Sequence, residues 1–230
     1  MSATSIAEPA PRFADRTLAE IATSLPGATA VFRRRKLDFC CGGRVGLAEA
    51  AAAKGIALPD IEAELRAVVG EPAHTSLPGR TEELIDLIEM RYHAAHRHQL
   101  PELARLARRV EAVHRDNPAV PRGLADLLDR MTAELETHMR NEEENLFPMM
   151  RRGGDTTIAQ SIGTMLAEHD DHGAHLRSLE ALTTDFEPPA GACTTWRALY
   201  AGGRKFAEDL VEHIHIENNV LFPRFATRIA

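Results

Sequence analysis

Apolar residues return every three or four positions along four long stretches after residue 80. That spacing places them on one helical face. The first stretch runs from about Thr81 to His114, with a kink expected at Pro101. The second starts near Pro121 and ends near Pro148, along a seam of Leu124, Leu128, Met131 and Leu135. The third covers roughly Thr156 to Leu182, with Ile158, Ile162, Met165, Leu176 and Leu179 in phase. The fourth follows Pro188 and Pro189 and stops near Pro223, with Phe206 and Leu210 in phase. Connections are short and no strand pattern intervenes. The pattern predicts an all-α fold, an antiparallel four-helix bundle over residues 81–230.

The upstream pattern is different. Residues 1–15 are polar and Pro/Ala-rich and read as a flexible leader. Residues 16–70 read as a small helical domain. Leu18, Ile21 and Leu25 form one stripe, Gly42 and Gly43 break the chain after Cys40 and Cys41, and Pro59 opens a helix carrying Ile61, Leu65 and Val68. Residues 71–80, with Pro72, Pro78 and Gly79, read as a linker.

The bundle sequence repeats itself. A shift of 75 residues carries Met131, Leu135, His138, Glu142, Leu146, Phe147 and Pro148 onto Phe206, Leu210, His213, Glu217, Leu221, Phe222 and Pro223. Both copies read H-x-x-x-E-x-x-x-x-F-P. His93 and His169 are 76 residues apart, nearly the same offset. Two helix hairpins related by a pseudo-two-fold axis, each with half a site, account for this.

The chemistry lies where the seams turn polar. His138 and Glu142 end the second seam, and His213 and Glu217 end the fourth. An ionised glutamate buried without a partner costs several kcal/mol or more. Two at matching depth call for a cation. Residues i and i+4 stand one above the other, so each His–Glu pair can reach one metal centre. His169 continues the third seam, and the first helix offers His93, although phase from Ile85, Ile88 and Tyr92 sets His96 slightly nearer. His172 also lies on the seam, as an added ligand, a supporting donor or polar core. Imidazole with carboxylate suits iron, zinc or manganese. No cysteine lies near these motifs, which excludes a thiolate-rich zinc site.

Composition narrows the setting. Ten of the eleven histidines lie between His93 and His215, and His215, His98 and His114 read as surface residues. Hydrophobic residues make up 44% of the chain and aromatics 5%. A formal charge of −7 argues against general nucleic-acid binding. No apolar run is long enough for a membrane span, and the N-terminus lacks the apolar core of a signal peptide. A cytoplasmic protein is expected. Three cysteines do not make a disulfide scaffold. Cys40 and Cys41 are either small buried residues or a thiol pair whose pKa the nearby Arg33, Arg34, Arg35 and Lys36 would depress. Cys193 has no partner in sequence and is expected to be inert.

The segments R-Y-H at 91–93, H-M-R-N-E at 138–142, E-H-D at 168–170 and H-I-H-I-E-N-N-V-L-F-P at 213–223 resemble the hemerythrin-like domain. Asp38-Phe39-Cys40-Cys41-Gly42-Gly43 resembles the short N-terminal domain of the repair-of-iron-centres (RIC) proteins. The likeness covers nearly all of the chain after residue 15. It implies a non-haem centre of two iron ions, with or without an oxo bridge. His93, His138, His169 and His213 would be terminal ligands, and Glu142 and Glu217 bridges. It implies supporting or channel roles for Glu134 and Glu168, and a thiol or iron-transfer role for Cys40 and Cys41.

The implied function is repair of iron–sulfur clusters damaged by nitric oxide or oxidants. Reduction of nitric oxide to nitrous oxide, iron donation, or both would serve it. Oxygen-carrying hemerythrins use five histidines. Four by clear motif leave open positions on the metals, which favours a reactive centre over an oxygen store. The alternative is a nitric oxide or oxygen sensor without turnover. Expected partners are nitric oxide or oxygen and damaged iron–sulfur proteins, with no nucleic acid and no membrane. The resemblance leaves room for a homodimer through the N-terminal domain.

Overall fold

The computed structural model describes residues 12–69 and 77–226. The chain divides into two compact units, residues 1–76 and 77–230. Among the described residues the fold is all-α, and the only pairing of extended backbone is an isolated bridge between Thr17 and Gly46. No described helix is long and apolar enough to cross a membrane. Most of the expected leader and linker, residues 1–11 and 71–76, lies outside the described residues. The leader's last residues, Phe13–Asp15, form a 3-10 turn.

In the first unit, helices α1 (Leu18–Ser24), α2 (Ala28–Arg34), α3 (Leu47–Ala53) and α4 (Leu58–Ala67) follow that turn. Thr17 and Glu20 start α1 with a capping box, each side chain taking the other's backbone N–H. Leu18, Ile21, Val31, Phe32, Leu47, Ile61 and Leu65 are fully buried and form the core. Burial of such a side chain contributes roughly 1.5–3 kcal/mol.

The second unit is the bundle. Its first helix joins α5 (Thr81–Leu87) to α6 (Ala94–Val113) through a π-helical stretch, Ile88–His93. The second joins α7 (Leu124–Asn141) to α8 (Phe147–Arg151) through a π stretch at Glu142–Leu146. The third is α9 (Ile158–Thr183). The fourth joins α10 (Thr194–Ile216) to α11 (Pro223–Ala226) through a π stretch at Glu217–Leu221. Each long helix packs against two of the others, α6 against α7 and α10, α9 against α7 and α10.

The F-P sequences explain two of the π stretches. Proline has no N–H for the carbonyl four residues back, and its ring crowds that carbonyl. The helix widens one turn earlier. Phe147 donates its N–H to the Glu142 carbonyl five residues back, and Phe222 donates to the Glu217 carbonyl at 2.8 Å. Neither proline stops its helix, because the chain re-enters α geometry after the wide turn. Pro101 likewise sits inside α6, and the irregularity of the first helix falls upstream, at Ile88–His93. π stretches of this kind concentrate at functional sites.

Candidate metal centre

All three π stretches touch the same spot. His93 ends the first, Glu142 opens the second and Glu217 opens the third. These residues meet His138, His169 and His213 in the interior of the bundle, and all six are buried. Two groups result, His93–Glu142–His213–Glu217 and His138–Glu142–His169–Glu217. Within each, one ligand atom per residue lies within 4.8 Å of every other, a spacing that can hold a metal ion. Both glutamates belong to both groups.

Four Nε2 atoms converge. His93 Nε2 lies 3.2 Å from His213 Nε2, and His138 Nε2 lies 3.1 Å from His169 Nε2. Glu142 Oε2 is 3.4 Å from the Nε2 atoms of both His93 and His138. Glu217 reaches His213 at 3.0 Å and His169 at 3.1 Å. Both carboxylate oxygens of Glu142 are buried without a hydrogen-bond partner. Burial leaves such oxygens costly unless a cation answers them.

The opposite ring nitrogens are held from outside. Glu143 Oε1 meets His93 Nδ1 at 2.8 Å and is itself gripped by Arg97 at 2.7 Å. Asn218 Oδ1 meets His169 Nδ1 at 2.7 Å. Glu168 Oε2 meets His138 Nδ1 at 2.6 Å. A partner on Nδ1 fixes the ring and directs the Nε2 lone pair inward, the usual support of metal-binding imidazoles. Glu143 and Asn218 were not singled out from sequence. The signal was present, since each directly follows a repeated glutamate, at the same offset of 75 residues. The repeat also explains F-P a second way. Phe147 stacks on His93 with ring centres 5.8 Å apart, and Phe222 stacks on His169 at 6.0 Å.

Electrostatics divide the two glutamates. Burial, then the neighbouring Glu217 carboxylate, push the Glu142 carboxyl well above the usual range. Burial also pushes Glu217 upward, but His213 and His169 beside it outweigh burial and hold it well below. Burial and the approach of His213 lower His93 to about 4. Burial lowers His138 too. Burial therefore favours the neutral ring at His93 and His138, the form that binds metal.

Several expectations change. His96, favoured by regular phase, is buried with both ring nitrogens unpartnered and packs on Phe206 and His213, outside both groups. Glu134 belongs to neither group and stands 3.1 Å from His175. His215, expected at the surface, is 2% exposed and accepts from Asn219 at 2.9 Å. His114, also expected at the surface, is half-buried against Trp196, with Nε2 3.2 Å from the Cys193 sulfur. Cys193 thus has a partner, which lowers its thiol pKa. His98 is exposed.

In the first unit, Asp38 accepts from the backbone N–H groups of Cys41 at 3.0 Å and Gly42 at 3.1 Å. The Cys40 and Cys41 sulfurs are 3.6 Å apart and form no disulfide. The expected depression of these thiols does not occur at Cys40. Contact with Cys41, burial and the nearby Asp38 raise its pKa well above the usual thiol value. Arg34 and Arg35 turn instead to Glu64.

Comparison with known proteins agrees with this architecture. Residues 85–225 match the hemerythrin HHE cation binding domain, and residues 14–69 match ScdA_N, a domain of unknown function (DUF542). The chain is 46% identical over 213 residues to the iron-sulfur cluster repair protein YtfE of Citrobacter koseri, covering 92% of this chain and 97% of that protein. It is 46% identical over 215 residues to the protein of that name from Yersinia pseudotuberculosis, with the same coverage. The Escherichia coli O157:H7 protein of that name is 45% identical over 213 residues. With a cation-binding HHE bundle behind an ScdA_N unit, and this identity over nearly its whole length, the chain belongs to the repair-of-iron-centres family.

Proposed function

We propose that His93, His138, His169 and His213 hold two iron ions, that Glu142 and Glu217 bridge them, and that this centre serves the repair of damaged iron–sulfur clusters in the cytoplasm. The observation that carries the reading is the pair of buried four-residue groups sharing both glutamates. The donor set fits the metal. Four imidazoles and two carboxylates suit iron, and the unpartnered oxygens of Glu142 face the place where a cation would sit. The relatives are iron-sulfur cluster repair proteins by name, which supports the repair role.

The side chains around the site have distinct tasks in this reading. Glu143, Asn218 and Glu168 hold imidazole rings in register through Nδ1. Phe147 and Phe222 cover the rings of His93 and His169 and keep water from them. Held by these six residues, two ferrous ions would supply the two electrons that, with two protons, convert two nitric oxide molecules to nitrous oxide and water. Iron donation needs only that the ligands release a metal, and both routes use the same six residues.

The test is metal analysis of the Glu142→Ala, Glu217→Ala double variant, followed by nitric oxide addition to anaerobic ferrous protein. Loss of both irons in the variant and nitrous oxide from the parent protein are expected. Two irons per chain in the double variant would sink the site assignment. Stable nitric oxide binding without gas evolution, together with failure to reactivate a damaged iron–sulfur enzyme, would favour a sensor.

A further inference from the structure

Beside the six-residue centre lies a second set of metal-ligating atoms. His172 and His175 are one turn apart on α9, and Glu134 faces them from α7. One ligand atom from each lies within 4.8 Å of the other two. His172 is 4% exposed, and its Nε2 is buried with no hydrogen-bond partner. A buried lone pair or N–H left without a partner costs about 1–3 kcal/mol. His175 Nδ1 is also buried without a hydrogen bond, although Glu134 Oε2 lies only 3.1 Å away. That approach is close but not aligned as a hydrogen bond, so it leaves the His175 nitrogen unsatisfied. A cation held by the three residues would answer it.

We propose that Glu134, His172 and His175 form a mononuclear site for a divalent transition-metal ion, separate from the six-residue centre. Two imidazoles and one carboxylate are the donor set that zinc and ferrous iron accept, and they leave further positions for water. The chemistry excludes a calcium or magnesium preference, because those ions favour all-oxygen ligands. The site also differs from the deeper one in access. Glu134 and His175 keep 46% and 24% of their side-chain surface exposed, so an ion can reach it from solvent. Its inner wall is shared. The His172 ring stands edge-on to His138, with centres 5.0 Å apart.

The experiment counts bound cobalt(II) by equilibrium dialysis of the full chain at neutral pH, in the parent protein and in the Glu134→Ala and His175→Ala variants. Both substitutions fall on partly exposed side chains and leave the core intact. The parent is expected to hold one more cobalt per chain than either variant, and each variant to bind that ion at least tenfold more weakly. Equal cobalt content in parent and variants overturns the proposal, as does an added ion that persists in the combined variant. The readout is a difference between proteins with the same six-residue centre. An error about that centre changes the counts in all of them alike and leaves the difference intact.

Discussion

Glu168 Oε2 lies 2.6 Å from Nδ1 of His138, whereas the matching position in the other half of the repeat holds Tyr92. Tyr92 stacks on His213 with ring centres 5.6 Å apart, and the Nδ1 of His213 is buried without a partner. The two halves are alike in their inner atoms and unlike in their support.

That asymmetry predicts the effect of Glu168→Leu. Loss of a group that orients an imidazole typically weakens metal affinity 10- to 100-fold. The variant should release one metal ion to a chelator about that much more readily, with the second less affected. Chelator competition followed by metal counting reads this. Equal weakening of both ions, or of neither, would show that Glu168 does not act through His138.

The glutamates and three of the four histidines were legible because regular α periodicity carries them to the ends of apolar seams. His93 was not legible in that way. The π stretch at Ile88–His93 adds backbone to one turn, so a phase counted from Ile85 and Ile88 overshoots to His96. Nothing in the composition of residues 88–93 announces that turn. In the other two π stretches the proline after phenylalanine does. His215 was misread for a different reason. Residues 213–217 are buried all round, so a position two residues from the seam is interior as well.

The wide turns before Pro148 and Pro223 should be needed for the glutamates. With Pro223→Ala, an N–H becomes available to the Asn219 carbonyl and the steric cause of widening is gone. The turn is expected to tighten toward α geometry and swing Glu217 off the shared position. Metal affinity should fall about tenfold or more while helix content is retained, as the penalty for misplacing a ligand is far larger than the cost of one helical hydrogen bond of about 1 kcal/mol. Metal titration alongside far-ultraviolet circular dichroism checks both halves of this statement.

Protons should destabilise the metal-free bundle in a defined window. His93 is held to about 4 and His172 to about 3 in the folded chain, against 6.5 for an ordinary histidine. As pH falls, the unfolded chain takes up protons first. Stability present above pH 6.5 is therefore lost progressively toward pH 4, by roughly 2 kcal/mol for each of these histidines at pH 5. Urea midpoints of chelator-treated protein at pH 7.5, 6 and 5 measure it. A midpoint that does not move would mean that these rings are solvated once the metal is gone.

The cysteines should react in an order opposite to the one their neighbours in sequence suggest. Cys40 lies in the basic-flanked motif, yet contact with Cys41, burial and Asp38 hold its thiol protonated. Cys193 has no flanking charge cluster, yet the contact with His114 lowers its pKa and its side chain is partly exposed. The thiolate is the nucleophile, so Cys193 should alkylate at least about tenfold faster than Cys40 with iodoacetamide at pH 7.5. His114→Ala should slow the alkylation of Cys193, because the imidazole partner is the largest cause of its lowered pKa. Peptide mapping of partially labelled protein separates the two sites. Faster labelling of Cys40 than of Cys193 would mean that the Asp38 loop opens in solution, and that the burial of Cys40 does not protect it on the timescale of the reaction.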